Sequence, residues 1–318
     1  MNNNPLPNPS ETDAAAPEIS VVLIFFNSER FLAEAIESVL AQSFADFELI
    51  LVDDGSTDGS TAVALGYAER FPGRVRYLTH EGRSNRGMAA SRNRGAAVAR
   101  GNFLAFLDSD DVWMPRKLEE QLEILRAHPQ AALVCGAILY WHSWDGQSRQ
   151  SDGAVLTAGI GDKLVLPPKV ALKAYPLGTS SGAGVDFLVV RPVFKALGGF
   201  EDVFHTMFED QSFLLKAFVQ YPVYLSSKVW LKYRQHPESC CALTEHDGSY
   251  AVERVRFFDW FDHYIATQHP DPCIVKALAR ARLRKPQSKS AALLRRLAKG
   301  VLRRLLPPGN RPLGDLLA

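Results

Sequence analysis

From Ile19 to Ala137 short apolar runs alternate with stretches whose apolar residues recur at helical spacing. Ile19 to Phe26 is rich in β-branched and aromatic residues and predicts a buried strand. Phe31, Leu32, Ala35, Ile36, Val39 and Leu40 then fall on one helical face. The alternation continues with a strand over Phe47 to Val52, a helix from Ser60 to Arg70 and a strand at Val75 to Leu78. A helix over Gly87 to Ala99 and a strand at Phe103 to Leu107 follow. Pro115 suits a helix first turn, Leu118, Leu122 and Leu125 continue that helix, and Ala131 to Ala137 reads as a strand. The pattern predicts an α/β fold with a doubly wound, mainly parallel sheet and helices on both faces. Ligands in such sheets sit at the carboxyl ends of the strands. After about Trp144 the periodicity loosens, with apolar runs at Val185 to Val190 and Phe213 to Phe218, and the chain reads as a second half built on the same sheet. Beyond His246 it reads as helical.

Composition changes this picture only near the two ends. The 318 residues are 47% hydrophobic and 22% charged, as in an ordinary folded protein. The net charge of +1 hides a strong asymmetry, because no acidic residue occurs from Cys273 to Gly314. The stretch to Pro17 is rich in Asn, Pro and Ala and is expected to be a disordered tail. Four cysteines with neither a disulfide framework nor metal spacing suit a reducing compartment. There is no secretory-type opening and no apolar run of about 18 residues, so a cytoplasmic location is expected.

The acidic residues carry the candidate chemistry. Asp53-Asp54-Gly55-Ser56 closes the second predicted strand, where a tight turn competes with recognition of a base or ribose. Asp108-Ser109-Asp110-Asp111 closes another strand. A helix cap explains one of its three carboxylates, whereas a hard divalent cation shared with substrate phosphates explains the group. Glu209-Asp210 precedes the amphipathic run beginning at Phe213 and reads equally as a helix start or as a general base among aromatic neighbours. Arg92 has the geometry for phosphate, and His236 the chemistry for metal or phosphate, against the plainer alternatives of a solvated helix face and a structural histidine.

These motifs, taken together, resemble family-2 glycosyltransferases. The similarity rests on ISVVLIFFN from Ile19 to Asn27, AIESVLAQS from Ala35 to Ser43, and LVDDGSTD from Leu51 to Asp58. It continues through Gly87 to Gly95 (GMAASRNRG), Phe106 to Asp111 (FLDSDD), Gly198 to Asp202 (GGFED), Glu209-Asp210 and Tyr233 to His236 (YRQH). Phe25-Phe26 departs from the small polar residue and Tyr of many members, while Asn27 is kept. The resemblance implies a GT-A fold, a nucleoside-diphosphate sugar donor, Mn²⁺ or Mg²⁺, and inversion at the anomeric carbon. Carried over by position, Phe26, Asn27, Asp53, Asp54, Arg92 and Ser109 face the donor. Asp108, Asp110 and His236 hold the metal, Asp210 is the catalytic base, and Glu209 partners the acceptor or the base. The implied division is a catalytic domain at 18–245, with a donor half at 18–115 and an acceptor half at 116–245, followed by a basic helical extension at 246–318.

Residues 291–306 (AALLRRLAKGVLRRLL) place leucines mainly on one face and basic residues mainly on the other. A basic amphipathic helix of this kind suits either the inner face of an anionic membrane, fitting a glycan or lipid-linked acceptor, or packing on the domain. No aromatic platform supports nucleic-acid binding. Two rival functions are a sugar-nucleotide nucleotidyltransferase and an inactive carbohydrate- or nucleotide-binding protein. The first lacks a glycine-rich phosphate loop after Ile24, and the second leaves the joint presence of Asp54, Asp108, Asp110 and Asp210 without a reason.

Overall fold

The computed structural model describes Leu6, residues 16–268 and residues 270–284. Most of the expected N-terminal tail and the whole of segment 291–306 therefore lie outside the described residues. The chain divides into two units, Met1–Arg282 and Leu283–Ala318, and the sheet with its covering helices belongs to the first.

The predicted alternation is present. In chain order come β1 (Ile19–Phe25), α1 (Leu32–Leu40), β2 (Phe47–Asp53), α2 (Ser60–Arg70), β3 (Val75–Thr79), α3 (Met88–Val98) and β4 (Phe103–Asp108). Then follow β5 (Val112–Trp113), α4 (Lys117–Ala127), β6 (Leu133–Trp141), β7 (Gly153–Val155), β8 (Lys163–Val165) and α5 (Lys169–Lys173). The second half continues with β9 (Phe187–Val190), α6 (Arg191–Ala196), α7 (Glu209–Gln220) and β10 (Val223–Arg234). Three helices close the described chain: α8 (Cys240–His246), α9 (Tyr250–Ala266) and α10 (Pro272–Leu283).

Among the described residues the strands form one sheet in the order β3-β2-β1-β4-β9-β6-β10-β5, with β7 on β6 and β8 on β10. The longer pairings, β1 with β2 and β4, β2 with β3, and β6 with β10, are parallel. The antiparallel members are short strands, among them β5, which pairs with β10, and β9, which enters between β4 and β6. Strand alternation sends Ile19, Val21, Leu23 and Phe25 to a core shared with α1, α2 and α4, and Val22 and Ile24 to a core shared with α3, α6, α7 and α9. Both faces are thus apolar, which is why the strand sequences read as unbroken hydrophobic runs. Each fully buried Val, Leu or Ile contributes on the order of 1.5–3 kcal/mol.

Two details fix the helices that carry the site. A Cβ on Gly95 would lie 2.4 Å from Val22 Cγ1, so only glycine lets α3 approach the sheet this closely. Below α4, Lys117 Nζ meets Asp186 Oδ1 at 2.5 Å in the interior, with both side chains buried.

Candidate active site

Strand register assembles the acids. Phe25 pairs with Asp53 and Ile24 with Asp108, so the ends of β2 and β4 flank the end of β1. After Asp111 the chain crosses to β10, where Trp113 pairs with Leu231, and this brings the end of β10 and His236 beside the second acidic cluster.

On the donor side of the expected site, much of the polar chemistry is spent on shaping loops. Asp53 is buried and accepts from Ser56 N–H at 2.7 Å, Thr61 Oγ1 at 2.6 Å and Tyr77 Oη at 3.0 Å. Burial pushes its pKa up, but these bonds outweigh it and hold the carboxyl below its ordinary value. Asp54 accepts from the backbone N–H groups of Arg86 at 2.7 Å and Gly87 at 2.9 Å, pinning the loop ahead of α3. His80 Nε2 lies 3.5 Å from Asp54 and 2.9 Å from Ser91 Oγ, and burial lowers its pKa. Asn27 adopts φ 48° and accepts from Thr57 N–H at 2.8 Å. Ser109 Oγ donates to Ser28 Oγ at 2.7 Å. The Phe26 ring is half exposed at the end of β1.

Arg92 lies between two of the acids. Its side chain is buried, with Nη2 on Asp108 Oδ1 at 2.5 Å and Nη1 on Glu209 Oε1 at 2.7 Å. Both guanidinium termini are therefore engaged by carboxylates, and Arg92 ties β4 to the first turn of α7. Phe208, just ahead of that helix, takes φ 71°, in the left-handed region that bulky residues rarely adopt. Asp210 is partly exposed and its Oδ1 accepts from Gln211 N–H at 2.6 Å.

The acidic turn carries more negative charge than its partners neutralise. Burial, reinforced by Asp110 and Glu209, raises the pKa of Asp108 in spite of Arg92. Burial with Asp110 and Asp108 pushes the Asp111 carboxyl well above its ordinary value, although it accepts from Arg234 N–H at 2.9 Å. Asp110 Oδ2 lies 3.0 Å from His236 Nε2, while the buried Nδ1 of His236 has no hydrogen-bond partner. With its proton on Nε2, His236 donates to Asp110; replacing that proton with a divalent cation leaves one carboxylate oxygen and one imidazole nitrogen facing the ion. Among the described residues no group of three or more His, Cys, Asp or Glu is arranged to hold a metal. A two-donor edge nevertheless fits a cation that completes its shell with substrate phosphates and water, as Mg²⁺ commonly does.

Sequence reasoning missed the residues that brace this edge. Arg234 entered only as a neighbour of His236 and Phe31 only as part of an apolar helix face, and Glu34, Trp141 and Trp144, which with Phe31 surround the guanidinium, carried no site signal. Each stands far from Arg234 in sequence, and only the fold brings them together.

Residues 20–191 match the family model described as Glycosyl transferase family 2. The putative glycosyltransferase EpsE of Bacillus subtilis (strain 168) is 41% identical over 120 residues, covering 38% of this chain and 42% of that protein. The UDP-Glc:alpha-D-GlcNAc-diphosphoundecaprenol beta-1,3-glucosyltransferase WfgD of Escherichia coli is 36% identical over 107 residues, covering 34% of this chain and 40% of that protein. The matched part of the chain thus spans less than half of either relative. The mannosyltransferase PcManGT from Pyrobaculum calidifontis, solved in complex with GDP-Man and Mn²⁺, superimposes with TM-score 0.52 at 19% identity, covering 95% of this chain and 85% of that one. That likeness shows the shared fold. A sheet with its acids gathered at the strand ends, and a family match over more than half the chain, lead to one assignment: the protein belongs to glycosyl transferase family 2 and is built on the GT-A fold.

Proposed function

We propose that the protein moves a sugar, with inversion, from a nucleoside-diphosphate donor to an acceptor hydroxyl in the synthesis of a surface polysaccharide, lipopolysaccharide or glycoconjugate. The observation that carries this reading is the buried bridge from Asp108, two residues before Asp110, through Arg92 to Glu209 and its neighbour Asp210. It sets a cation-seeking edge next to a carboxylate pair on α7. The names of WfgD and EpsE support the reaction class, and that of WfgD supports a lipid-linked acceptor.

In this mechanism Asp110 and His236, with Asp108 alongside, would hold Mn²⁺ or Mg²⁺. The ion, when bound, neutralises charge developing on the departing diphosphate. Phe26 offers an apolar face to the base, while Asp54, with Asp53, holds the nucleoside and keeps the surrounding loops in place. Asp210 removes the acceptor hydroxyl's proton as its oxygen attacks the anomeric carbon from the face opposite the leaving phosphate. Glu209, bonded to Arg92, keeps the start of α7 in position.

The test is a thermal-shift and calorimetry panel of UDP, GDP and TDP with and without Mn²⁺. One nucleotide is expected to stabilise the protein in a Mn²⁺-dependent manner; at a concentration near 100 Kd the gain is about 2.7 kcal/mol. Absence of binding by every nucleotide, with and without the ion, overturns the proposal.

A further inference from the structure

Arg234, the last residue of β10, is buried to 3% side-chain exposure and reaches four separate parts of the chain. Its Nε donates to the Asp110 carbonyl at 2.7 Å, and its backbone N–H donates to Asp111 Oδ1 at 2.9 Å. Its Nη2 meets Glu34 Oε2 of α1 at 2.5 Å. Around the guanidinium stand Trp141 at 4.6 Å, Phe31 at 4.7 Å and Trp144 at 5.0 Å, measured to ring centroids.

The enclosing rings are themselves tied down. Trp144 Nε1 donates to the Gln235 carbonyl at 2.8 Å, and Gln235 N–H donates to the Trp141 carbonyl at 3.1 Å. Lys232 covers Trp141 at 4.9 Å and Arg30 covers Trp144 at 4.9 Å, so three cations alternate with two indoles. Phe31 also packs 5.1 Å from the His236 ring.

We propose that Arg234 is a positioning residue that sets the Asp110–His236 pair at cation-binding separation. The inference rests on the metal-assisted transfer reading above. Arg234 touches neither the Asp110 carboxylate nor the His236 ring. It fixes the backbone that carries the first, precedes the second by two residues, and holds in Phe31 the ring that packs on it. A planar guanidinium is required because Nε and Nη2 donate to separate acceptors while three aromatic rings stand within 5.0 Å of it. A lysine has one ammonium at the end of a flexible stem and cannot serve Asp110, Glu34 and the rings together.

The experiment compares wild type, Arg234→Lys and Glu34→Gln. Glu34 is half exposed, so its replacement leaves the fold intact even where Arg234→Lys folds poorly. Mn²⁺ affinity is read by electron paramagnetic resonance of free Mn²⁺ titrated against protein with saturating UDP or GDP. Nucleotide affinity without metal and circular dichroism are recorded alongside. The expected result is at least a 10-fold weaker Mn²⁺ affinity in Arg234→Lys and about 3-fold in Glu34→Gln, with the spectrum and metal-free nucleotide binding unchanged. A general packing defect would instead weaken both affinities together, and that outcome overturns the inference. Wild-type Mn²⁺ affinity in both variants also overturns the inference and leaves the functional reading standing. Failure of wild type itself to bind Mn²⁺ with nucleotide overturns that reading, and the inference with it.

Discussion

Arg92 stands between Asp108 and Glu209, with one terminal nitrogen on each carboxylate at 2.5 and 2.7 Å. A single buried cation thereby joins the acidic turn after β4 to the helix that bears Asp210. Replacing it with methionine preserves much of the volume but leaves the buried Glu209 carboxylate without its cation, close to the partly exposed Asp108. Removing one partner of a buried ion pair costs about 3–5 kcal/mol. Arg92→Met is expected to fall in that range in urea unfolding, and Glu209→Gln placed on top of it is expected to restore part of the loss. An Arg92→Met protein as stable as wild type would show that the bridge carries no weight.

Asp210 is the proposed base, and a general base contributes typically ~10²–10⁴-fold. Asp210→Asn is nearly isosteric, so nucleotide affinity should stay within about 2-fold of wild type. Transfer measured by nucleoside diphosphate release should fall by about 10²-fold or more. Near-normal turnover in the purified variant would remove the assignment.

The buried pair of Lys117 and Asp186 tests the scaffold apart from the chemistry. Lys117 Nζ also donates to Gln121 Oε1 at 3.0 Å, whereas Asp186 Oδ2 is buried without a hydrogen-bond partner. Lys117→Met alone should cost about 3–5 kcal/mol by stranding the carboxylate, and Lys117→Met/Asp186→Leu should recover most of it. Urea midpoints of the four members of the cycle measure the coupling.

Glu48, on β2, supplies the pH dependence. Burial pushes its carboxyl up, but bonds from Arg100 N–H at 2.8 Å, Ser20 Oγ at 2.8 Å, and the Arg100 and Arg76 side chains, each at 3.1 Å, hold its pKa below the ordinary value. A carboxyl whose folded pKa is depressed stabilises the fold fully above its unfolded pKa, near ~4.3, and loses that contribution as pH falls through the folded value. Glu48→Gln should therefore be about 2 kcal/mol less stable than wild type at neutral pH. The gap in urea midpoints should narrow as pH is lowered from about 5 toward 3. A gap independent of pH would mean that the ionised form of Glu48 contributes nothing.

The sequence by itself determined the order of strands and helices as far as Ala137, the two-sided burial of the sheet and the clustering of acids at strand ends, but not β10 or the short elements of the second half. Those features follow from local rules: an apolar run too short for a helix becomes a strand, and turns collect Asp, Gly and Ser. It also carried Glu209-Asp210 and His236 as motif residues, though with no indication of what they would meet. Tertiary structure decided their partners. The Arg92 pairing with Glu209 spans 117 positions and the Arg234 pairing with Glu34 spans 200, distances over which no periodicity speaks. It also gave three of the expected donor residues partners within the protein, since Asp53 holds its own turn, Asp54 holds the loop ahead of α3 and Arg92 holds two acids. A residue type sets which partners are chemically acceptable, but only packing sets which of them arrives, because a buried charge binds the nearest group able to offset its lost hydration.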